Sequence, residues 1–174
     1  MQQVLLEFPT IKHKEQAEAM KQEFFDANEP IINGSALLDQ MDYDAWLENT
    51  IRNSNPATAR EDWVPATTFF AVRKSDKKII GIVDIRHNLN QEFLTSYGGH
   101  IGYAVRPSER RKGYATQILT KALDYARELG VRRIMLGCYA DNLASIRTIE
   151  KCGGMRTETK KYIDGRLMNV YWFE

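Results

Sequence analysis

The fold is decided by residues 103–115, which read Tyr-Ala-Val-Arg-Pro-Ser-Glu-Arg-Arg-Lys-Gly-Tyr-Ala. The aromatic and β-branched residues before Pro107 predict a strand that the proline ends. Gly113 stands where a helical pattern begins. Backbone N–H groups at a helix start are unpaired and bind anions with the help of the helix dipole, and a glycine lets a phosphate approach them. The stretch therefore predicts a strand, a phosphate-binding turn and a helix.

Other kinds of phosphate loop do not fit this turn. A Walker loop needs GxxxxGK followed by Ser or Thr, and a dinucleotide loop needs GxGxxG, whereas Gly113 stands alone. The basic residues Arg110, Arg111 and Lys112 would add positive charge around a bound anion. From these residues alone, a solvated basic turn before a helix is the alternative that stays open.

The rest of the chain alternates strand and helix patterns. Apolar residues recur at helical spacing from Ala115 to Ala126, and Asp164-Gly165 is a hairpin turn between two strand patterns. The predicted order is β-α-α-β-β-β-α-β-α-β-β, which indicates one α/β domain with a mixed sheet. The predicted strands are 4–8, 68–72, 79–85, 99–105, a strand within 131–139, 155–163 and 167–173; the helices are 12–27, 44–51, the one after Gly113 and 142–151, and 88–97 is a polar loop.

Composition excludes several classes of protein. The 174 residues carry 24 basic and 23 acidic side chains, a net charge of +1, which predicts neither a nucleic-acid nor a membrane partner. Cys138 and Cys152 form no CxxC motif, so we expect no metal site, and a reducing cytoplasm is the default location. No apolar run reaches the length of a membrane span, and the start of the chain does not resemble a signal peptide.

Two segments carry a resemblance to a known family. Arg110 to Ala115 resembles the acetyl-CoA signature Arg/Gln-x-x-Gly-x-Gly/Ala of the GNAT N-acetyltransferase superfamily. Asn142, Ser145, Lys151 and Gly153 are similar to that family's Asn-x-x-Ala/Ser…Lys-x-Gly helix. The resemblance runs from about residue 68 to the C-terminus. It implies a single GNAT-like domain over 1–174, with a mixed, mostly antiparallel twisted sheet of about seven strands and helices on both faces.

The resemblance also implies how acetyl-CoA would be held. The strand before the signature would splay from the strand after the helix, and pantetheine would enter the gap. Asn142 would face the pantetheine from the opposite wall, and Ser145 would lie on the same face of its helix. The alternative is that Asn142 only caps this helix. The implied cofactor-binding residues are the strand positions Tyr103, Ala104 and Val105, the turn and helix-start positions Arg110, Arg111, Lys112, Gly113, Tyr114, Ala115 and Thr116, and Asn142 and Ser145.

The implied reaction is direct acetyl transfer to an amine of a small molecule, an amino-acid derivative or a peptide. His100 stands where the family often has Glu, and we predict it as the general base, with a structural histidine as the alternative. Ile149 stands where the family commonly has a Tyr that protonates the thiolate. Tyr139 is therefore the predicted acid, with Cys138 as a weaker candidate.

Two other functions stay open. A non-catalytic acyl-CoA-binding sensor or scaffold would tolerate Ile149, and a longer acyl-CoA would fit if small residues surround the thiol. The acceptor cannot be identified because residues 30–64 and 87–99 carry no recognisable motif. Asp84, Arg86 and His87 lie at the end of a predicted strand, where Asp84 and Arg86 predict an ion pair; a part in shaping an acceptor pocket is the alternative. Dimers are frequent among the proteins that this chain resembles, so we also expect a homodimer.

Overall fold

The computed structural model describes residues 2–174, and within them the predicted order of strands and helices is confirmed. Each boundary lies within a few residues of its prediction. The strands are β1 (Val4–Glu7), β2 (Ala66–Arg73), β3 (Ile79–Arg86), β4 (Ile101–Val105), β5 (Ile134–Tyr139), β6 (Met155–Lys161) and β7 (Leu167–Phe173). The helices are α1 (Lys14–Asp26), α2 (Tyr43–Asn53), α3 (Tyr114–Glu128) and α4 (Leu143–Lys151).

The seven strands form two antiparallel sheets, ordered β1-β2-β3-β4 and β5-β7-β6. An isolated bridge between Gly99 and Leu136 joins the sheets, and the N–H of His100 donates to the carbonyl of Met135 at 2.8 Å beside it. Beyond this point, no ladder joins β4 to β5 within the described residues. The predicted α/β architecture with mostly antiparallel strands is confirmed, and the splayed strands leave a gap.

Helices cover both faces of the first sheet, as predicted. Neighbouring residues of a strand point to opposite faces, and β2 shows this at Phe70 and Ala71. Phe70 packs with Trp46 of α2 and Phe24 of α1. Ala71 belongs to a second core cluster with Ile118 of α3. The sheet is therefore the middle layer of the domain, and α3 is fixed against the face opposite α1 and α2.

The segment before β4 differs from its prediction as a polar loop. Residues Leu94–Gly98 form a π-helical turn whose Leu94 is buried. This turn packs so closely on β5 that a Cβ added to Gly137 would overlap the carbonyl oxygen of Tyr97. The tertiary contact holds the two sheets together at one end only. Among residues 2–174, no helix is long and apolar enough to cross a membrane.

Candidate active site

A cleft of about 830 Å³ occupies the gap between β4 and β5 and continues to the start of α3. Most of the residues predicted for the site line it, and two do not, namely Lys112 and His100. The predicted residues that line the cleft are Tyr103, Ala104, Val105, Arg110, Arg111, Gly113, Tyr114, Ala115, Thr116, Tyr139, Asn142 and Ser145.

The turn before α3 is an anion cradle built from backbone. Arg111 has φ 63° and Gly113 has φ 81°, both in the left-handed region. The N–H groups of residues 111–113 donate to no other described residue, and those of the first helical turn have no intrahelical partner. Successive free N–H groups in such a conformation form a concave site for an anion. Gly113 brings no Cβ into this concavity.

A buried carboxylate anchors the cradle from below. Glu109 accepts from Nζ of Lys78 at 2.7 Å, from Nη1 of Arg73 at 2.9 Å and from Nζ of Lys112 at 3.0 Å. Burial raises the pKa of Glu109, but the bonds to these cations outweigh it and lower the pKa to about 2. Lys112 therefore contacts Glu109 rather than the cleft, because its side chain is drawn to the buried charge.

Arg110 has a different environment from the one predicted. Its guanidinium makes a two-pronged ion pair with Glu29, with distances of 2.9 and 2.6 Å, and lies over the ring of Phe24. The pair lowers the pKa of Glu29, chiefly through the Arg110 hydrogen bond. Arg110 thus ties the turn to the loop after α1, while the exposed Arg111 is the basic side chain that lines the cradle.

The opposite wall is the start of α4. Asn142 caps this helix, since its Oδ1 accepts the N–H of Ser145 at 3.1 Å, and it also lines the cleft. Tyr103 reaches across from β4, with its hydroxyl 3.1 Å from Oγ of Ser145. Burial raises the pKa of Tyr103 to about 12. The phenol therefore stays protonated and bridges the two walls.

This cleft lies within a region that matches a known family. The sequence model described as the acetyltransferase (GNAT) family matches residues 36–154, more than half of the chain. The chain belongs to that family. The match takes in β2 to α4 and hence the cradle, both splayed strands and the Asn142 cap.

Curated relatives resemble part of this GNAT chain. It is 33% identical over 88 residues to YjdG of Bacillus subtilis (strain 168), described as an uncharacterized N-acetyltransferase, covering 49% of each chain. It is 34% identical over 80 residues to YjcK of the same organism, described as a probable N-acetyltransferase, covering 45% of this chain and 42% of the relative. The matches thus span about half the length of these curated relatives or less.

Solved structures share the fold over nearly the whole GNAT chain. The microcin C7 self-immunity acetyltransferase MccE, in complex with acetyl-CoA and AMP, has a TM-score of 0.72 at 19% identity, covering 98% of this chain and 91% of that one. RimL, a ribosomal L7/L12 α-N-protein acetyltransferase in complex with coenzyme A, has a TM-score of 0.69 at 18% identity, covering 98% and 93%.

His100 lies outside the cleft of this GNAT domain. It is buried between the sheets, and its Nδ1 accepts the N–H of Met135 at 2.9 Å. Burial, followed by the charge of Arg86, lowers the pKa of His100 to about 4. The ring is therefore neutral at pH 7 and fastens β5 to the start of β4. This geometry favours the structural alternative over the predicted role as general base.

We expect His100→Ala to lower the free energy of unfolding by about 1–3 kcal/mol, because the buried N–H of Met135 loses its acceptor. His100→Gln, which keeps an acceptor atom, should lose less. Neither change should alter the shape of the pH–rate profile of acetyl transfer. Urea unfolding and steady-state rates measure these effects. A kinetic inflection that disappears in His100→Gln, with folding intact, would restore the role as base.

His100 also gives stability a pH dependence. Its pKa is lower in the folded chain than the ordinary value near 6.5, so the unfolded chain binds more protons between these values. The folded state therefore loses stability as the pH falls from about 6.5 to 4. Replacing His100 with Gln should flatten the stability curve in that window.

The candidate proton donors, Tyr139 and Cys138, lie in different surroundings. Ile149 is fully buried in the core beneath α4, so it supplies packing only. Tyr139 lines the cleft, and its hydroxyl donates to Asp164 at 2.7 Å. This hydrogen bond is the main cause of the raised pKa of Tyr139. Cys138 is buried, which raises the pKa of its thiol to about 11.

Several cleft residues were not predicted as site residues. The loop before α2 contacts β4, where a Cβ on Gly34 would overlap the carbonyl of Gly102. Arg86 at the end of β3 forms the expected ion pair with Asp84 at 3.5 Å and also lines the cleft. The remaining unpredicted lining includes Ile31, Asn33, Phe93, Tyr97, Tyr162 and Met168. The position of Arg86 at a strand end was the sequence signal for its alternative role in an acceptor pocket, whereas the loop residues carry no recognisable motif.

Proposed function

We propose that this chain transfers the acetyl group of acetyl-CoA directly to an amine of a small molecule, an amino-acid derivative or a peptide. The observation that carries the proposal is the continuous cleft from the anion cradle at Gly113 into the gap between β4 and β5. The membership in the GNAT family and the shared fold support it.

The residues of the cleft fit acetyl-CoA at both the anionic and the extended part of the molecule. Free N–H groups around Gly113 suit a pyrophosphate, with Arg111 as the nearby cation. β4 pairs with β3 along one edge only, so the backbone of Tyr103, Ala104 and Val105 is available to pair with pantetheine on the other. Acetyl-CoA would supply an activated acyl group as a thioester.

The proton steps involve few groups of the chain. The carboxylates that line the cleft, Glu29 and Glu109, are held in ion pairs at the cradle. We therefore propose that the amine loses its proton to water rather than to a side chain. Tyr139 stays our prediction for the group that protonates the departing thiolate, because it lines the cleft; its hydroxyl, which donates to Asp164 at 2.7 Å, would have to leave that partner.

We expect the purified chain to release free coenzyme A thiol from acetyl-CoA only when an accepted amine is present. A thiol-reactive dye, with a panel of small amines, amino acids and peptides, measures this release. Tyr139→Phe should retain acetyl-CoA binding and lose turnover if Tyr139 is the acid. Unchanged turnover in that variant would remove Tyr139 from the mechanism.

A non-catalytic acyl-CoA-binding module is the second candidate function. Ile149 favours it, because the buried isoleucine replaces the tyrosine that the family commonly uses. Tight binding of acetyl-CoA without turnover across the whole panel would support this module and contradict the transferase. Including longer acyl-CoA donors in the panel separates acyl preference from absence of catalysis.

We further propose, from the family resemblance and the cysteine usage, one catalytic domain over 1–174 that works in the cytoplasm as a homodimer. Light scattering of the purified chain tests the dimer. A monomer with full activity would contradict it.

A further inference from the structure

The guanidinium of Arg86 lines the end of the cleft away from the cradle and has free hydrogen-bond donors. Arg86 lies beside the residues that precede β4, whereas the cradle follows Val105 at the other end of that strand. Four residue steps along a strand separate these ends by roughly 13 Å. Nη1 of Arg86 donates to the carbonyls of Gly98 and Gly99 at 3.3 and 3.1 Å. Nη2 donates to no described residue.

Arg86 lines the cleft, and its Nη2 lies beside Gly102 at the point where Gly102 packs against Gly34. A Cβ added to Gly102 would lie 3.5 Å from Nη2 and 3.2 Å from Cα of Gly34. A side chain at Gly102 would therefore contact the guanidinium, and one at Gly34 would overlap the backbone of Gly102. A guanidinium with free N–H groups in a half-buried cleft is suited to a carboxylate or a phosphate oxygen.

Arg86 is the charged side chain of the described cleft lining at this end. The other charged residues in that lining belong to the cradle or pair with it, namely Glu29, Glu109, Arg110 and Arg111. Asp84 contacts Nε of Arg86 at 3.5 Å and does not itself line the cleft. The N–H groups of Nη2 are therefore left to attract an anionic group.

An aromatic wall, formed by Phe93, Tyr97, Tyr139 and Tyr162, flanks the same end. Ring centroids of Tyr162 lie 6.1 Å from Phe93, 4.9 Å from Tyr97 and 6.2 Å from Tyr139. The hydroxyls of Tyr97 and Tyr139 are tied to the carbonyl of Lys161 and to Asp164. The rings are therefore held in place as a surface for an apolar or planar group.

We propose that the acceptor is an amine that also carries a carboxylate or a phosphate and an apolar or aromatic body. Nη2 of Arg86 binds the anionic group, and the aromatic wall binds the body. The inference rests on the proposed acetyl transfer, since it assigns the acceptor end of the same cleft.

The first test needs no turnover. Binding of 3-phenylpropionate, 2-phenylethylphosphonate and 3-phenylpropanamide is measured by ligand-observed NMR, with and without coenzyme A. We expect at least one anion to bind roughly ten-fold more tightly than the neutral amide, and the two anions distinguish a carboxylate from a phosphate site. This preference should vanish in Arg86→Met and persist in part in Arg86→Lys. Equal or absent binding of all three probes would overturn the proposal.

A matched control variant distinguishes the loss of Arg86 from the loss of any one positive charge. Arg132 is exposed in the segment before β5 and does not line the cleft, so Arg132→Met should leave the anion preference unchanged. Arg86→Met must still bind acetyl-CoA, which shows that the variant is folded. Loss of preference in both arginine variants would contradict a specific role of Arg86.

The second test uses transfer and separates the two proposals. Phenylalanine, phenylalaninamide and phenethylamine share one ring and differ in their anionic group. We expect kcat/KM to be highest for phenylalanine, with the advantage lost in Arg86→Met and the rate with all three lowered in Phe93→Ala. Equal rates would overturn the anion site and leave acetyl transfer standing. Anion binding without any transfer would overturn the proposed function and leave the anion site standing.

Discussion

Gly113→Val is expected to weaken acetyl-CoA binding by about 100-fold or more, which corresponds to roughly 2.7 kcal/mol. Gly113 has φ 81°, a conformation that a β-branched residue adopts only at high cost. The new side chain would also lie beside the free N–H groups that we propose as the pyrophosphate site. Isothermal titration calorimetry with acetyl-CoA measures the loss.

A second glycine provides the control for backbone strain. Gly130, after α3, has φ 91°, and a Cβ there meets no atom within 4 Å. Gly130→Val should therefore lower stability through the same unfavourable φ and leave acetyl-CoA affinity unchanged. If Gly113→Val bound acetyl-CoA as tightly as the native chain, the cradle would not be the phosphate site.

Glu109→Gln is expected to reduce the free energy of unfolding by about 3 kcal/mol and to weaken acetyl-CoA binding as well. The buried carboxylate compensates three cations; without it Arg73 keeps Asp76, but Lys78 and Lys112 lose their carboxylate partner. Glu109 also directly precedes the cradle, so the turn should lose its order. Urea unfolding and calorimetry measure the two effects.

The pH dependence of this contribution has a definite sign. The pKa of Glu109 is about 2 in the folded chain, below its ordinary value of 4.5. Its stabilisation is therefore present above pH 4.5 and is lost as the pH falls toward 2.

Glu128 provides the control for Glu109. It is exposed at the end of α3, so Glu128→Gln should change stability by less than about 0.5 kcal/mol. Similar losses in both variants would contradict the special role of Glu109.

Local pattern was enough to predict the elements and the cradle. Strand alternation, the apolar stripe of α3 and the position of Gly113 depend on residues close together in the chain. For the same reason, the family signature could be recognised, and the cofactor end of the cleft followed from it. Asn142 is predicted both as a cap and as a cleft residue, and the structure places it in both positions.

Tertiary contacts decided which of the predicted side chains line the cleft. His100 and Lys112 have side chains suited to a site, yet burial against Met135 and attraction to Glu109 take them out of the cleft. Met135 lies 35 residues from His100 in the chain. Glu109 stands only three residues before Lys112, but only the tertiary structure shows that its carboxylate is buried and gathers Lys78, Arg73 and Lys112.

The sequence by itself determined the order of strands and helices and the glycine-containing turn before α3. It also carried the motifs that imply membership in the GNAT family. Each of these depends on local conformation and short spacing. Only the tertiary structure decided that β4 and β5 separate after Gly99, that His100 fastens them, and that Arg86 meets an aromatic wall across the gap. These features depend on how the π-helical turn and the loop before α2 pack on the strands, and packing between distant segments has no periodic signature in the chain.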